Sequence, residues 1–321
     1  MKTRETVSSS EFRVSNVTVR HGLGHVSRFT FQPSRAAFSL IEVMIVVVLM
    51  SVIILGLMAM FSQTQRAFKA GMTQTDVLEG GRMATEMLSR ELEQIVPGYS
   101  TAYLGQTNFV AVLETEFAQT LPATSAERTN LTSRIFFLTH ENQTWTGIGY
   151  FLVADTTVTP VNPVGVLTRF EMSDNAAGFA QRPWLLISNF NLASQGFSSY
   201  GNLSKVLDGV VSFHFRTYDT NGYWINPAPP PTPIGQIWIH SDWSARFPIG
   251  SYPPRVDYHF VSNAVPAYVE FELGILEQGA VDKYKSIPIS TVQSNYLAGQ
   301  AGRVHLFRQR VAVRNVDRSA Y

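Results

Sequence analysis

The organising stretch of this sequence reads Arg35-Ala-Ala-Phe-Ser-Leu-Ile-Glu-Val-Met-Ile-Val-Val-Val-Leu-Met-Ser-Val-Ile-Ile-Leu-Gly-Leu-Met-Ala-Met-Phe61. Its second part, residues 43–61, is apolar except for Ser51 and Gly56, which are small enough to lie inside a membrane helix. About 19 such residues are enough to cross the hydrocarbon core of a bilayer, which is roughly 30 Å thick. Glu42 lies at the amino-terminal edge of the run. Placing a carboxylate in lipid costs free energy, so a carboxylate at this position indicates a functional role.

The charges of the chain are divided unevenly around this run. The sequence has 25 basic and 24 acidic residues, and positions 1–37 hold six of the basic and two of the acidic ones. Positive charge before a membrane span keeps that end in the cytoplasm, so we expect the chain after the span to lie outside it. The later part has no basic cluster and therefore gives no indication that the head binds nucleic acid.

Composition limits the chemistry that is available to the chain. Hydrophobic residues make up 45% of the 321 residues and charged residues 15%, which predicts a folded chain with one or two globular domains besides an anchor. The sequence has no cysteine, and this excludes disulfides, thiolate metal sites and a cysteine nucleophile.

Two small residues come before the apolar run, whereas an ordinary secretory signal is cleaved after its apolar core. The segment Ala37-Phe38-Ser39-Leu40-Ile41-Glu42-Val43 resembles, position by position, the processing site of type IV prepilins and pseudopilins. The one departure is Ala37, where glycine is commoner in that family. This resemblance covers the amino-terminal sixth of the chain.

The resemblance implies that a prepilin peptidase removes a basic leader, residues 1–37, by cutting between Ala37 and Phe38. It further implies N-methylation of the new amine of Phe38, and a role for Glu42 in processing and in assembly with other pilins or pseudopilins on an inner-membrane platform. Physical chemistry agrees, because a carboxylate in lipid needs a compensating cation, and that amine supplies one. The alternative is an ordinary single-span anchor in which Glu42 reaches the interface.

Helix-forming residues continue beyond the apolar run and predict one helix over residues 38–95, about 87 Å long at 1.5 Å per residue. Residues 38–61 form its transmembrane half and residues 62–97 its amphipathic half, which Pro97-Gly98 ends. Gly71 and Gly80-Gly81 are the expected bends. We expect one apolar stripe to pack against the head, formed by Phe68, Met72, Leu78, Met87, Leu88, Leu92 and Ile95. The solvent side is expected to carry the charges, including a Glu86–Arg90 pair and the exposed carboxylates of Glu91 and Glu93.

Residues 98–321 are expected to form a β-rich extracytoplasmic head. Apolar and β-branched runs predict eight strands, at residues 108–113, 134–139, 147–154, 165–172, 210–218, 236–240, 267–276 and 303–314. Residues 155–163 are interpreted as a hairpin loop, Asp219-Thr-Asn-Gly222 as a turn, and the proline run 229–233 as a stiff surface loop. The predicted class is α+β and pilin-like, with a long amino-terminal helix packed on a mainly antiparallel sheet. Segment 81–92 resembles PilW-type minor pilins and J-type minor pseudopilins, and segment 207–224 resembles the head of J-type minor pseudopilins.

No enzyme signature stands out in the head, and no cofactor or metal site is predicted. The histidines are scattered without a zinc-binding pair. Asp219-Thr-Asn-Gly222 lacks the downstream glutamate of a calcium loop, so a plain turn is the favoured interpretation. Glu270 and Glu272 alternate along one strand and are expected to lie on a solvated face, without glycosidase chemistry.

Two functions follow from these features. The first is a structural minor pilin or pseudopilin, a single-pass protein of the bacterial inner membrane with a cytoplasmic leader and a periplasmic head. It would enter or initiate a type IV pilus-like or type II secretion filament through non-closing contacts. The second is a membrane-anchored periplasmic binding protein or enzyme that does not polymerise. Cleavage between Ala37 and Phe38 distinguishes the two.

Overall fold

The computed structural model describes residues 39–98, 107–142, 144–154, 164–174, 183–196, 201–225, 237–242 and 255–321. The chain divides into two compact units, one ending at Phe61 and the other comprising Ser62–Tyr321. The leader, the predicted hairpin loop 155–163 and the proline run lie outside the described residues.

The first element is a long helix, α1, at Leu40–Leu92. It continues through Gly71, Gly80 and Gly81 without a break in its helical assignment. In the second unit one face of α1 is buried, and its spacing of three or four residues is that of a helical stripe. We call this the head-facing stripe, formed by Val77, Gly81, Ala84, Leu88 and Leu92.

The predicted apolar stripe was therefore correct only in its last part. Leu88, Leu92 and Ile95 are buried, at 2%, 0% and 0% exposure. Phe68 and Met72 are 69% and 57% exposed, and Leu78 is also exposed. The small residues Gly81 and Ala84 replace them in the contact because they allow the helix to approach the sheet closely.

Within the described residues, nine strands and three shorter α-helices follow α1. The strands are β1 (Thr107–Thr120), β2 (Glu127–Glu141), β3 (Thr144–Ala154), β4 (Gly165–Asp174), β5 (Asn202–Tyr218), β6 (Ile237–Asp242), β7 (Arg255–Val261), β8 (Tyr268–Leu276) and β9 (Val304–Ala312). The helices are α2 (Pro183–Ser194), α3 (Gln278–Lys285) and α4 (Ser290–Ala298). All eight predicted strands are present, whereas β7 and the three helices were not predicted.

The strands form one sheet in the order β6-β7-β1-β2-β3-β4-β5-β8-β9, and each neighbouring pair is antiparallel. An additional parallel bridge joins β2 to β5 at Thr132 and Phe213. The β3–β4 pairing, in which Ala154 lies opposite Gly165, confirms that these strands form a hairpin. The α+β class with a long amino-terminal helix and a mainly antiparallel sheet is therefore confirmed.

Successive side chains along each strand point to opposite faces of the sheet, and both faces are apolar. On β2, Ile135 and Phe137 belong to the cluster that includes the head-facing stripe of α1. Phe136 and Leu138 point to the opposite face and pack with Leu186 and Phe190 of α2. A third, smaller cluster joins α3 and α4 to the sheet. The second unit thus has a central sheet between α1 and the shorter helices.

Candidate processing and assembly site

The site begins at Ser39, the residue that precedes α1. The Ser39 hydroxyl accepts a hydrogen bond from the Glu42 backbone N–H at 3.3 Å, and the Ser39 carbonyl accepts from the same N–H at 3.0 Å. Ser39 therefore caps the helix, and Ser39-Leu-Ile-Glu42 has the spacing of a capping box. Sequence reasoning missed this role, although the Ser-x-x-Glu spacing was visible in the motif.

Glu42 lies in the first turn of α1, where a carboxylate interacts favourably with the helix dipole. Its side chain is exposed, and no described residue donates a hydrogen bond or forms an ion pair with its carboxylate. Ala37 and Phe38 lie outside the described residues, so the geometry between Glu42 and the predicted new amine of Phe38 stays a prediction.

The helix after Glu42 is apolar on all sides. Every residue at positions 43–61 is exposed, and the best 18-residue window of α1 has a mean hydropathy of 3.0 with no buried residue. Ser51 donates its hydroxyl proton to the Val47 carbonyl at 2.8 Å, which satisfies the polar group without water. Among the described residues, α1 is the one helix long and apolar enough to span a membrane.

The comparison with known families concerns this same segment. The family model for the prokaryotic N-terminal methylation motif matches residues 33–58. This is a prepilin-type amino terminus. The match contains Ala37, Phe38 and Glu42, and it supports processing of the chain by prepilin peptidase. A prepilin-type motif followed by a single apolar helix fits a membrane-anchored, single-pass protein.

No curated protein matches the chain. The prepilin-type match ends at residue 58, well before the sheet begins at Thr107. The function of the head therefore depends on its own side chains, which include two clusters of buried charged groups.

The first buried charged cluster of the head joins α1 to the sheet. Nε of Arg169 on β4 donates a hydrogen bond of 2.8 Å to Oε1 of Glu91, and a terminal guanidinium nitrogen of Arg169 forms an ion pair with the same oxygen at 2.8 Å. Tyr150 on β3 donates its hydroxyl proton to Oε2 of Glu91, and Arg169 also pairs with Glu171. The predicted exposed position of Glu91 was wrong, because only 16% of its side chain is exposed.

These contacts change the acid–base properties of the cluster. Burial and the Glu91 carboxylate raise the pKa of Tyr150. Burial alone would lower the pKa of Arg169, but the hydrogen bonds to Glu91 and Glu171 raise it overall. Tyr150 therefore stays neutral and Arg169 stays charged near neutral pH, so these two residues form a fixed link to Glu91 and are not proton donors.

The second charged cluster lies on β5, β8 and β9. Glu270 accepts hydrogen bonds from Arg308 at 2.6 Å, from Arg216 at 3.3 Å and from the Tyr218 hydroxyl at 3.2 Å. Only 12% of the Glu270 side chain is exposed, so the predicted solvated face was wrong at this residue. Burial alone would raise the pKa of Glu270, but the hydrogen bonds from Arg308 and Tyr218 and the two arginine charges lower it overall.

Glu272 and His214 lie beside this cluster. Glu272 pairs with Arg128 at 3.5 Å, and 31% of its side chain is exposed. Burial lowers the pKa of His214 to about 4, and the Arg216 charge adds to the effect. The buried Nδ1 atom of His214 has no hydrogen-bond partner among the described residues. A carboxylate held by two guanidinium groups is not a general acid, so this arrangement gives no support for glycosidase chemistry.

The predicted turn at Asp219–Gly222 is confirmed. Oδ1 of Asp219 accepts from the backbone N–H groups of Asn221 at 2.9 Å and Tyr223 at 2.7 Å. Gly222 has φ +83°, a conformation that favours glycine. Both hydrogen bonds to Asp219 are those of a plain Asx-type turn. Within the described ranges no group of three His, Asp or Glu side chains could hold a metal ion.

Proposed function

We propose that the chain is a structural minor pilin or pseudopilin subunit of the bacterial inner membrane. Prepilin peptidase cuts it between Ala37 and Phe38, and the new amine of Phe38 is methylated. The mature chain then assembles through α1 into, or initiates, a type IV pilus-like or type II secretion filament, with its head in the periplasm. The methylation motif at residues 33–58 is the observation that carries this proposal.

The side chains of α1 beyond the span support assembly over simple anchoring. Phe68, Met72 and Met83 are 69%, 57% and 67% exposed. Phe68 and Met72 are one helical turn apart, and Met83 follows three turns later, so the three lie along one face. We call this face the outer stripe. At 100° per residue it lies roughly opposite the head-facing stripe.

An anchor has no need of large apolar side chains outside the membrane. A filament subunit has such a need, because the helix of a neighbouring subunit can cover them. The outer stripe is therefore the surface that we assign to helix–helix contact in the filament, while the head-facing stripe holds the same helix to its own sheet. Glu42 has an equivalent role at the amino-terminal end, where it pairs with the Phe38 amine of a neighbour.

The deciding experiment is mass analysis of the amino terminus of the membrane-extracted protein, expressed with an active prepilin peptidase. We expect a chain that begins at N-methylated Phe38. The matched variants are Ala37→Lys, which should block cleavage, and Glu42→Leu, which should leave cleavage largely intact and impair methylation or assembly.

A chain that keeps its leader in the presence of active peptidase would contradict the proposal and favour the non-polymerising anchor. A second test replaces residues 43–61 with an unrelated apolar span. A filament subunit should lose co-isolation with its partner pilins after this exchange, whereas an anchored enzyme or binding protein should work unchanged.

A further inference from the structure

Basic and acidic side chains alternate from strand to strand on one face of β5, β8 and β9, although His214 is uncharged near neutral pH because burial lowers its pKa. In the strand register Arg216 lies opposite Glu270, which lies opposite Arg310. Two residues further along, His214 lies opposite Glu272, which lies opposite Arg308. Opposite charges on directly facing residues stabilise a sheet. We call these six side chains the charge ladder.

The charge ladder carries excess positive charge on β9, the strand at the edge of the sheet. Glu270 is shared by Arg308 and Arg216, so one carboxylate serves two guanidinium groups. Arg310 is held by aromatic rings instead, with its guanidinium carbon 3.9 Å from the ring centroid of Tyr218 and 4.6 Å from that of Tyr268. Within the described part of the chain no carboxylate pairs with Arg310. Positive charge therefore remains on β9.

β9 is also the last strand of the sheet. It pairs with β8 on one side, and no other described strand pairs with it. Arg308 and Arg310 are exposed, with 55% of the Arg308 side chain accessible. An edge strand presents backbone N–H and C=O groups that a further strand can pair with. A further strand that pairs with β9 would continue the alternation if it carried negative charge.

This geometry fits a peptide better than a nucleic acid. Alternate residues of an extended strand lie on one face about 6.6 Å apart, so two carboxylates in an acid-x-acid pattern match the separation of Arg308 and Arg310. Single-stranded nucleic acids use free aromatic faces as stacking platforms. Here the rings of Tyr218 and Tyr268 are already covered by Arg310.

The acid-x-acid pairs of this chain are already part of its own helix and sheet. The sequence contains three such pairs, at 91/93, 114/116 and 270/272. The first lies at the end of α1, the second on β1, where Glu116 pairs with Leu131 of β2, and the third on β8 between β5 and β9. An acidic segment of another protein therefore fits the edge of β9 better than a second copy of this chain.

We propose that the outer edge of β9 binds an extended acidic segment of a partner protein, which adds to the sheet as a further strand and places carboxylates two residues apart opposite Arg308 and Arg310. Main-chain hydrogen bonds would supply affinity and the two arginines specificity. This inference does not rest on the proposed filament function.

The test uses the full-length protein in detergent micelles and fluorescence anisotropy at low ionic strength. The probe is a fluorescein-labelled nonapeptide of alternating threonine and glutamate. Three further probes are the same peptide with lysine for glutamate, a peptide of identical composition with its glutamates in one block, and a labelled oligothymidylate. A version methylated on alternate backbone nitrogens tests strand addition.

We expect the alternating acidic peptide to bind, and to bind less tightly as salt rises. Arg310→Gln and Arg308→Gln should each weaken it roughly threefold, the range of an exposed ion pair. Arg310→Lys keeps the charge and should retain most of the binding, which guards against loss through misfolding. Lys205→Gln removes an exposed positive charge from β5 outside the charge ladder and should leave binding unchanged.

The proposal is overturned if the alternating acidic peptide does not bind, or if the lysine or block peptide binds equally well. It is also overturned if both arginine variants bind like the wild type, if backbone methylation has no effect, or if oligothymidylate binds in preference to the peptide.

Discussion

Glu91 and Arg169 are joined across the junction of α1 and the sheet by one hydrogen bond and one ion-pair contact, both of 2.8 Å, although 78 residues separate them in the chain. Only 16% of the Glu91 side chain and 17% of the Arg169 side chain are exposed. Tyr150 occupies the other carboxylate oxygen of Glu91. Because each buried polar group has its partner, the cluster fixes the position of α1 on strands β3 and β4.

Glu91→Gln should destabilise the head by about 2–4 kcal/mol, because it leaves the half-buried Arg169 with a weaker partner. Urea unfolding of the full-length protein in micelles, followed by tryptophan fluorescence, measures the change. Glu86→Gln is the matched control on the same helix. Its pair with Arg90 is exposed, at 59% and 74%, so its loss should cost about 0.5 kcal/mol or less. Equal effects of the two variants would show that the Glu91 cluster adds nothing to stability.

The glycines of α1 are expected to respond to alanine in opposite directions. A Cβ atom at Gly81 would lie 2.2 Å from Cε2 of Phe307 and 2.8 Å from Cδ1 of Ile275. Gly81→Ala should therefore cost about 1–3 kcal/mol of overpacking. A Cβ at Gly71 meets nothing within 4 Å, so Gly71→Ala should stabilise by about 0.5–1 kcal/mol through helix propensity. Urea unfolding measures the stability of both variants. Stabilisation by both would contradict the close approach of Phe307 and Ile275 to Gly81.

The sequence was sufficient to predict the elements with strong local signals. The helix was predictable because its apolar run is long, and eight strands were predictable because Val, Ile, Phe and Tyr concentrate in them. The alternation of Val256, Tyr258 and Phe260 also marks β7, but two ionisable residues, Asp257 and His259, interrupt it. The helix α2 carries Leu186, Phe190 and Ala193 at helical spacing, in a segment too short to stand out from strands.

Side-chain roles that depend on distant partners could not be predicted in the same way. A glutamate in an amphipathic helix normally faces water, and Glu91 does not because Tyr150 and Arg169 arrive from strands 59 and 78 residues away. Glu270 is likewise enclosed by Arg216 and Arg308 from neighbouring strands. The processing motif is the opposite case, because its residues are contiguous and its recognition needs no tertiary structure.

Charged residues in the outer stripe should impair assembly without affecting the fold. Phe68→Glu and Met83→Glu each place a carboxylate on a surface that the proposed filament covers, whereas neither side chain contributes to the buried core. Co-isolation of the variants with partner pilins should fall, while urea stability changes by about 0.5 kcal/mol or less. Gln74→Glu is the control, since Gln74 is exposed on the same helix but lies roughly opposite the outer stripe. Co-isolation that falls equally in Gln74→Glu would indicate a general charge effect.

Acid is expected to weaken the head through His214. Burial lowers its pKa from 6.5 to about 4, with a further contribution from Arg216 that Glu270 partly offsets. The unfolded chain binds the proton below about pH 6.5 and the folded chain only below about pH 4, so stability is lost as the pH falls through this interval. Between pH 7.5 and pH 5 the loss of stability from this residue should be about 2 kcal/mol.

Urea unfolding at the two pH values measures this loss. His214→Gln should abolish the part of the loss that comes from His214. The control variant His140→Gln, at an exposed position, should retain it. A full loss in His214→Gln would assign the acid sensitivity to another group, because glutamine at this position has no proton to gain.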